Sequence, residues 1–472
     1  MTRKYITFWL ILFSFGAALP AFSQSYFRIL EQPLSSFFQR IACFPNGDIL
    51  IGDAITGSLS GSNQQQFYLA RLDPCGEILW QKNFSEQSHH LTFDQITIDD
   101  AGHIYVYGSF LEGLREQIYI LKLSGNGQLL GRGLWDRALN DNVTYSIDYE
   151  AGQLMLFGAL SDAGSPEHSH LMLLDTNLNV LQSWQYGPFE AYGEGIALQN
   201  GGALLVNGMT IMQADASGQL NWARTMQGFG SYIPTSIPLE VQDGTIHAVH
   251  FSGLTWFFKI DTAGNLAWQS AQFPAFYHLP EMEILPNGDF LAVYNETDTN
   301  GIHPVLLRAS AEGQILSQER LSTTYPINSG FVGITLFDDR RVNLFGNVDI
   351  GVGGGLERED FLLQVDLEDA DPECFAFVPF SSQQPNTFGL SLAPATLSQT
   401  AAPVTEVPMF EVRDTNLILS FEEVCAFEPF DREVRQDTIM DCGEEWVIAL
   451  PGPEFSWRDG HLNFSRVVSE AG

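Results

Sequence analysis

The chain has 472 residues, with 57 Asp or Glu against 22 Lys or Arg, a formal net charge of −35. That balance excludes a nucleic-acid surface, whose phosphates need clustered Lys and Arg, and it disfavours anionic lipid. The acidity reads as solubility outside the cell, and the length exceeds what one ordinary core can organise, so several domains or a repeat array are expected.

The first residues read as an export leader. Arg3 and Lys4 precede an apolar run over residues 6–19, and the small residues Ala21 and Ser23 are spaced for cleavage. A signal peptide over 1–23 follows, with a secreted or cell-surface location. The run is short for a membrane span, and no later stretch is apolar enough for a membrane helix, so no membrane insertion is expected.

Two elements then recur. The first is a turn followed by a strand: PNGDILIGD (45–53), DAGHIYVYGSF (100–110), EAGQLMLFGAL (150–160), NGGALLVNG (200–208), QDGTIHAVHF (242–251), PNGDFLAVY (286–294) and DDRRVNLFGNV (338–348). The aligned turn residues are Gly47, Gly102, Gly152, Gly202, Gly244, Gly288 and Arg340. Behind each comes a strand, a turn and another strand, as in FYLARLDPCGEILW (67–80). Three copies carry D-x-x-G-x-[IL]-x-W intact: Asp73/Gly76/Trp80, Asp215/Gly218/Trp222 and Asp261/Gly264/Trp268. Other copies decay, with Gly131 and Ser317 at the Trp position.

The motif is structural. Glycine supplies the positive φ of a tight turn, and Asp caps that turn through its side chain. Ile78 and Trp80, two apart, share one strand face that something must cover. A neighbouring blade covers it in a propeller, so inter-blade packing is the expected role of the tryptophans, ahead of a sugar-stacking platform. Four strands per repeat and seven repeats predict a seven-bladed β-propeller over 24–375. The segment SYFRIL (25–30) is expected to complete the last blade and close the ring.

The five cysteines are Cys43, Cys75, Cys374, Cys425 and Cys442. Pairing is expected in an exported chain, and the odd count leaves one over. Cys43 and Cys75 fall at the same end of the first blade; two strand spacings is about 9.6 Å, so the turns must lean together for a bridge. Cys374 and Cys425 flank the stretch after the propeller and are expected to tie it into a closed loop. That stretch, 376–432, is Ser/Thr/Pro-rich and reads as a linker with a hairpin around Asp414-Thr415-Asn416.

The last forty residues carry Asp437, Thr438, Cys442, Gly443, Leu450, Pro451, Gly452, Trp457, Asp459 and Gly460. This pattern, behind D-x-x-G-x-x-x-W repeats, resembles large exported propeller proteins of gliding-type (Bacteroidota-like) bacteria that use type IX secretion. The resemblance implies an immunoglobulin-like or PKD-like module, here partial over 433–472, and a C-terminal sorting domain that would follow it.

Chemistry is sparse. There is no G-x-S-x-G nucleophile elbow, and the glycine-rich GVGGGLERED (351–360) lacks a phosphate-loop Lys. His168 and His170 form H-x-H in a polar stretch expected to be a loop, with no third metal ligand evident. Asp298 and Asn300 echo a calcium loop without its closing Glu, and DLEDADPE (366–373) is similar, so at most weak calcium binding is expected and no cofactor. No residue is assigned to catalysis. The preferred reading is a non-catalytic binding or adhesion protein whose loops, with inserts at 54–66, 111–116 and 349–360, contact an extracellular protein or glycan. The alternatives are a polysaccharide hydrolase or lyase with a site in the central funnel, and a structural spacer. Asp, Glu, His and Tyr converging on one mouth of the channel would favour the enzyme.

Overall fold

A computed structural model describes most residues between 26 and 426, leaving aside mainly connecting segments such as 32–39, 56–65, 137–145, 228–234, 324–329, 351–356 and 380–389. Beyond 426 it describes only two short strands, Trp446–Ala449 and Ser465–Val468. The chain divides into two compact units, residues 25–427 and the two termini together. In the terminal unit the two described strands pair antiparallel, Trp446 opposite Val468. The leader at 1–23 and the rest of the module expected over 433–472 lie outside the described residues.

The larger unit is an all-β, seven-bladed propeller. Its innermost strands, in blades one to seven, are Arg40–Cys43, Gln95–Ile98, Ile147–Glu150, Gly193–Ala197, Thr235–Val241, Glu281–Ile284 and Phe331–Leu336. Each touches the next, and the seventh touches the first, so the circle is closed. Closure uses the expected N-terminal segment. Tyr26–Glu31 is the fourth strand of blade seven, with Tyr26 opposite Gln364 and Leu30 opposite Asp360.

The middle strands are apolar at nearly every position because both their faces are buried. Alternation sends neighbouring residues to opposite seams. Ile49 and Ile51 pack with Phe345 and Leu362 of blade seven, whereas Leu50 packs in the cluster of Phe93, Ile96 and Leu121 of blade two. The buried apolar side chains of the described residues fall into seven such clusters, one per seam.

The repeated Asp, Gly and Trp pin these seams. Asp215 Oδ1 accepts from the N–H groups of Ser217 and Gln219, Asp261 Oδ1 from those of Ala263 and Asn265, and Asp73 Oδ1 from that of Glu77. Gly76, Gly218 and Gly264 hold φ near +80° in the same turns. Each indole then lies on the turn glycine of the following blade: Trp80 on Gly127, Trp184 on Gly218, Trp222 on Gly264 and Trp268 on Gly313. A Cβ on Gly264 would come within 2.8 Å of the Trp222 ring. Three indole N–H groups also donate to a carbonyl of that next turn, Trp80 to Gly125 at 2.8 Å, Trp222 to Thr262 at 3.0 Å and Trp268 to Ala311 at 3.0 Å.

In the seam between blades two and three both the tryptophan and the glycine are missing. Gly131 of blade two faces Leu178 of blade three, which itself occupies φ +69° and fills the seam. A second set of seam contacts comes from the third strands. Arg71 donates from Nη1 to Gly125 O at 2.8 Å and from Nε to Asp48 at 2.7 Å, Lys122 donates to Thr176 O at 2.8 Å, and Gln364 to Pro74 O at 3.3 Å.

Residues after 374 are not a linker with a hairpin. Among the described residues they run back around the ring, against the order of the blades, and add an outer fifth strand to six of the seven. Phe375–Pro379 pairs with Ile315–Thr323 of blade six. Ser391–Pro394 pairs in blade four with Leu220–Gln227, Ser398–Ala401 in blade three with Val180–Phe189, and Thr405–Glu406 in blade two with Leu129–Asp136. Arg413–Asn416 pairs with Ile78–Ser85 of blade one, and Ser420–Ala426 with the N-terminal strand of blade seven. The residues expected to form the hairpin's turn are therefore themselves a strand of blade one, and Ser420–Ala426 pairs with blade seven rather than folding back on them. A lone two-stranded hairpin is marginal, whereas each blade's outer edge offers a full row of backbone donors and acceptors. The propeller unit accordingly extends to residue 427, well past 375.

The cysteine expectations change as well. Cys43 is a free thiol at the end of the innermost strand of blade one, so the expected bridge to Cys75 is not made. Two strands of the blade separate that end from the outer turn, about 9.6 Å, beyond bridging reach. Cys425 lies on the belt opposite Phe27, while Cys75, Cys374 and Cys442 lie outside the described residues.

The Trp–Gly contact yields a quantitative expectation. Trp222→Gly should lower stability by about 2–3 kcal/mol, since a half-buried indole and its hydrogen bond are lost. Gly264→Leu alone should cost at least as much, through the clash and the positive φ. The double variant, which copies the Gly131–Leu178 seam, should be milder than the sum by about 1 kcal/mol or more, read from urea unfolding of the four proteins. Strict additivity would show that the two residues do not share the seam.

Candidate functional site: the carboxylate-lined channel

The innermost strands have one face toward a neighbour and one toward the axis. In Glu281–Ile284 the alternation is plain, because Met282 is buried in the seam between blades five and six while Glu281 and Glu283 remain half-buried. Every blade is entered along its innermost strand from the outermost strand of the blade before. First residues of these strands therefore sit at the end carrying the longer inter-strand loops, and last residues at the end carrying the tight turns.

Arg40, Glu194 and Glu281, from blades one, four and six, lie at the loop end. Their charges act on one another. Burial raises the Glu194 carboxyl to about 7, helped by the Glu281 carboxylate and opposed by the Arg40 guanidinium. Burial raises Glu281 as well, again opposed by Arg40. One pleat further in, Glu283 is raised to about 8 by burial and by Glu281. The Cys43 thiol beyond it is pushed up to about 11 by burial, Glu283 and Asp48, so it stays protonated and unreactive at neutral pH.

A second group sits at the turn end. Asp148 is raised to about 6 by burial, even though its carboxylate accepts from the N–H of Ala197 at 2.9 Å and of Tyr149 at 2.8 Å. Glu240 is raised by burial and by Glu150, and it accepts from the N–H of Gln199 at 2.8 Å. These carboxylates cross from blade to blade, so they brace the ring's inner wall in addition to charging it. Among the described residues no set of three His, Cys, Asp or Glu is placed to hold a metal ion.

The residues singled out from sequence fall elsewhere. The repeat Asp, Gly and Trp residues lie on the outer turns and seams. His168 and His170 are on the strand Glu167–Asp175, not in a loop, and His170 Nε2 bonds Ser183 Oγ at 2.7 Å. Asp298 ends the strand Phe290–Asp298 opposite Gly301, and Glu296 of that strand pairs with Arg320 of Ile315–Thr323 at 3.1 Å. Much of the supposed inserts is strand: Glu112 pairs with Arg115, and Ile350 with Glu357. The central parts, 56–65, 113–114 and 351–356, lie outside the described residues.

The channel residues were missed, although a signal existed. Arg40, Gln95, Glu194 and Glu281 each stand seven residues before a turn glycine, Gly47, Gly102, Gly201 and Gly288. The period hides in blade four if Gly202 is aligned to the turn. The positive φ belongs to Gly201, and a Cβ on Gly202 would meet Ala214 O at 2.5 Å.

No protein-family model and no curated protein matches the chain. Among solved structures it is similar to the K499G mutant of the NanB sialidase from Streptococcus pneumoniae, with TM-score 0.41, 10% identity, and coverage of 71% of this chain and 68% of that one. It is also similar to a protein of unknown function from Dyadobacter fermentans, with TM-score 0.37, 14% identity, and coverage of 74% and 100%. The polysaccharide lyase Uly1 gives TM-score 0.40, 9% identity, and coverage of 71% and 91%. The class of the protein, a seven-bladed β-propeller, is read from the chain's own strand pairing.

The raised carboxyls make stability pH-dependent. A carboxyl whose folded pKa lies above its unfolded value binds its proton more tightly in the folded state, so stability falls as pH rises through that interval. For Glu194 and Glu283 the interval runs from the ordinary 4.5 to about 7 and about 8. The melting temperature should therefore fall between pH 5 and about pH 8.5. Glu194→Gln/Glu283→Gln should flatten that slope and melt higher than wild type at the alkaline end. An unchanged slope in the double variant would place the titration elsewhere.

Proposed function

We propose that the protein is a secreted or cell-surface binding protein that takes an extracellular glycan or protein ligand at the loop end of its channel. The observation that carries this reading is the grouping of Arg40, Glu194 and Glu281 from three separate blades at that mouth. A guanidinium offers five donors in a fixed fork, and carboxyl groups offer acceptors and, when protonated, a donor. Such a set suits vicinal hydroxyls of a sugar or the polar backbone of a protruding loop. The rigid ring holds the groups in place without ligand, so little ordering cost attaches to binding. The strong negative charge argues against polyanionic ligands.

A second reading has a specific observation in its favour. A carboxyl raised to about 7, beside another carboxylate, is the state a general acid needs at neutral pH. A polysaccharide hydrolase or lyase would use Glu194 in that role, with Glu281 as its charged neighbour.

Glycan-array binding of the full chain separates the two readings. Under the binding reading, a glycan is retained unchanged, and Arg40→Ala and Glu281→Gln each weaken it about tenfold or more without lowering the melting temperature. Under the enzyme reading, reducing ends or unsaturated products accumulate and vanish in Glu194→Gln. Binding that is indifferent to all three substitutions would remove the channel from the function.

A further inference from the structure

The belt and the ring both end in blade seven. That blade takes its third strand, Glu357–Asp366, from the last repeat and its fourth, Tyr26–Glu31, from the start of the unit. The pairing of Tyr26 with Gln364 and of Leu30 with Asp360 is therefore the joint that closes the circle. The belt leaves from one side of this joint and finishes on the other. It follows Glu357–Asp366 in the chain, is anchored in turn on blades six, four, three, two and one, and ends with Ser420–Ala426 paired to Tyr26–Glu31. The two halves of the joint are thus also linked the long way round.

Beside blades three and four the grip of the belt is visible in detail. Leu390 and Leu392 pack in the seam between blades four and five, and Ala395 and Leu397 in the seam between blades three and four. The Ala395 N–H donates to Ala223 O of blade four at 3.1 Å. Gln399 pairs through its backbone with Tyr186 of blade three, while its side chain reaches blade four. There Nε2 donates to Gly218 O at 2.7 Å, and Oε1 accepts from the N–H of Leu220 at 3.2 Å. One belt residue thus holds both sides of a seam.

The direction of the belt strands decides what they resist. Neighbouring strands rotate by about 20–25° on average, so a fifth strand lies roughly crosswise to the innermost one and runs along the rim. When blades spread, a strand in that direction is pulled along its own length, and its ladder bonds are loaded together. The next register with the same face outward lies two residues on, about 7 Å away. Peeling the strand outward from one end breaks the same bonds one after another.

We propose that the belt is a hoop that locks the ring: the joint in blade seven stays shut while the belt strands keep their registers on the other blades, and the ring opens only after the belt has been peeled from the rim. The lock acts at a distance. A break in the belt on blade three, across the ring from the joint, loosens the joint itself. The device does not depend on what the channel binds.

Amide hydrogen exchange of the full chain tests this, with Tyr26–Glu31 as the joint and the middle strand Ile49–Ile55 as the reference for opening of the whole unit. Gln399→Pro/Thr400→Pro removes two adjacent N–H groups, one of which an antiparallel ladder uses, together with the Gln399 side chain. Exchange at residues 26–31 should rise about tenfold or more, and by a larger factor than at residues 49–55. Gln399→Ala keeps the belt backbone and should move the same residues the same way by about threefold, and it decides alone if the proline variant does not fold. Faster exchange confined to residues 184–187 and 398–401 would overturn the proposal, because the belt would then act only where it touches. An equal rise at residues 26–31 and 49–55 would overturn it too, because the belt would then contribute only to overall stability.

Discussion

Each blade is a sheet with two apolar faces and no core of its own, and this constraint sets everything else. A single open sheet would expose both faces to water. A stack of sheets would leave its two end faces exposed. Joining the ends removes the problem, and seven sheets with their natural twist meet around a common axis. The alternation seen in blade one, Ile49 and Ile51 toward blade seven and Leu50 toward blade two, is the local form of that constraint. Apolar packing alone does not fix how far one blade slides on the next. The indole resting on the next blade's turn glycine, with its N–H on that turn's carbonyl, does. The Gly131–Leu178 seam supports this account, because the bulk has moved to the other side of the contact while the gap stays filled.

Closing the ring solves the faces but not the outer edges, which still present unpaired backbone groups. The returning C-terminal segment covers most of these edges, and in doing so it couples the two ends of the propeller. The strand Tyr26–Glu31 is held on one side by Glu357–Asp366 and on the other by Ser420–Ala426. Ring closure thus rests on a three-strand junction built from the first, the seventh-blade and the last segments of the unit. The composition of 375–426 conceals this, because an outermost strand has one solvent-facing side and only a short length paired. Ser398–Ala401 reads SQTA, which carries no apolar alternation at all.

What could be read from the residues follows from where burial is complete. The middle strands, buried on both faces, and the tight outer turns impose strong patterns, so the blades, their number and the closing role of the N terminus were legible. Asp, Gly and Trp recur because a turn and a seam both depend on them. The belt was not legible because its partners lie up to the whole ring away in sequence, and short half-exposed strands need little beyond an available edge. The absence of a Cys43–Cys75 bridge was not legible either, since lateral distance within a blade is not encoded in which end a residue occupies. The His168–His170 pair was misplaced in a loop because SPEHSH is polar, yet this end of the strand meets polar partners on both faces, Ser169 bonding Asn207 and His170 bonding Ser183.

The channel is where the seam constraint lapses. The axis-facing side of an innermost strand has no neighbouring sheet to meet, so packing does not dictate its residue types. Even so, it is not filled with neutral polar side chains. Glu281 and Glu283 point the same way from one short strand, and Glu194 is close enough to feel Glu281. Like charges crowded in a half-buried space cost stability, and partial protonation with a single nearby guanidinium offsets only part of that cost. Asp148 and Glu240 differ in kind, since each binds a backbone N–H of a neighbouring blade and so contributes to the wall. Among the described residues the loop-end carboxyls show no comparable backbone bond to a neighbouring blade, and residues that strain a structure without supporting it are where function is to be sought. The same reasoning that explains why the seams are apolar therefore singles out Arg40, Glu194 and Glu281 as the part of the ring that packing alone does not account for.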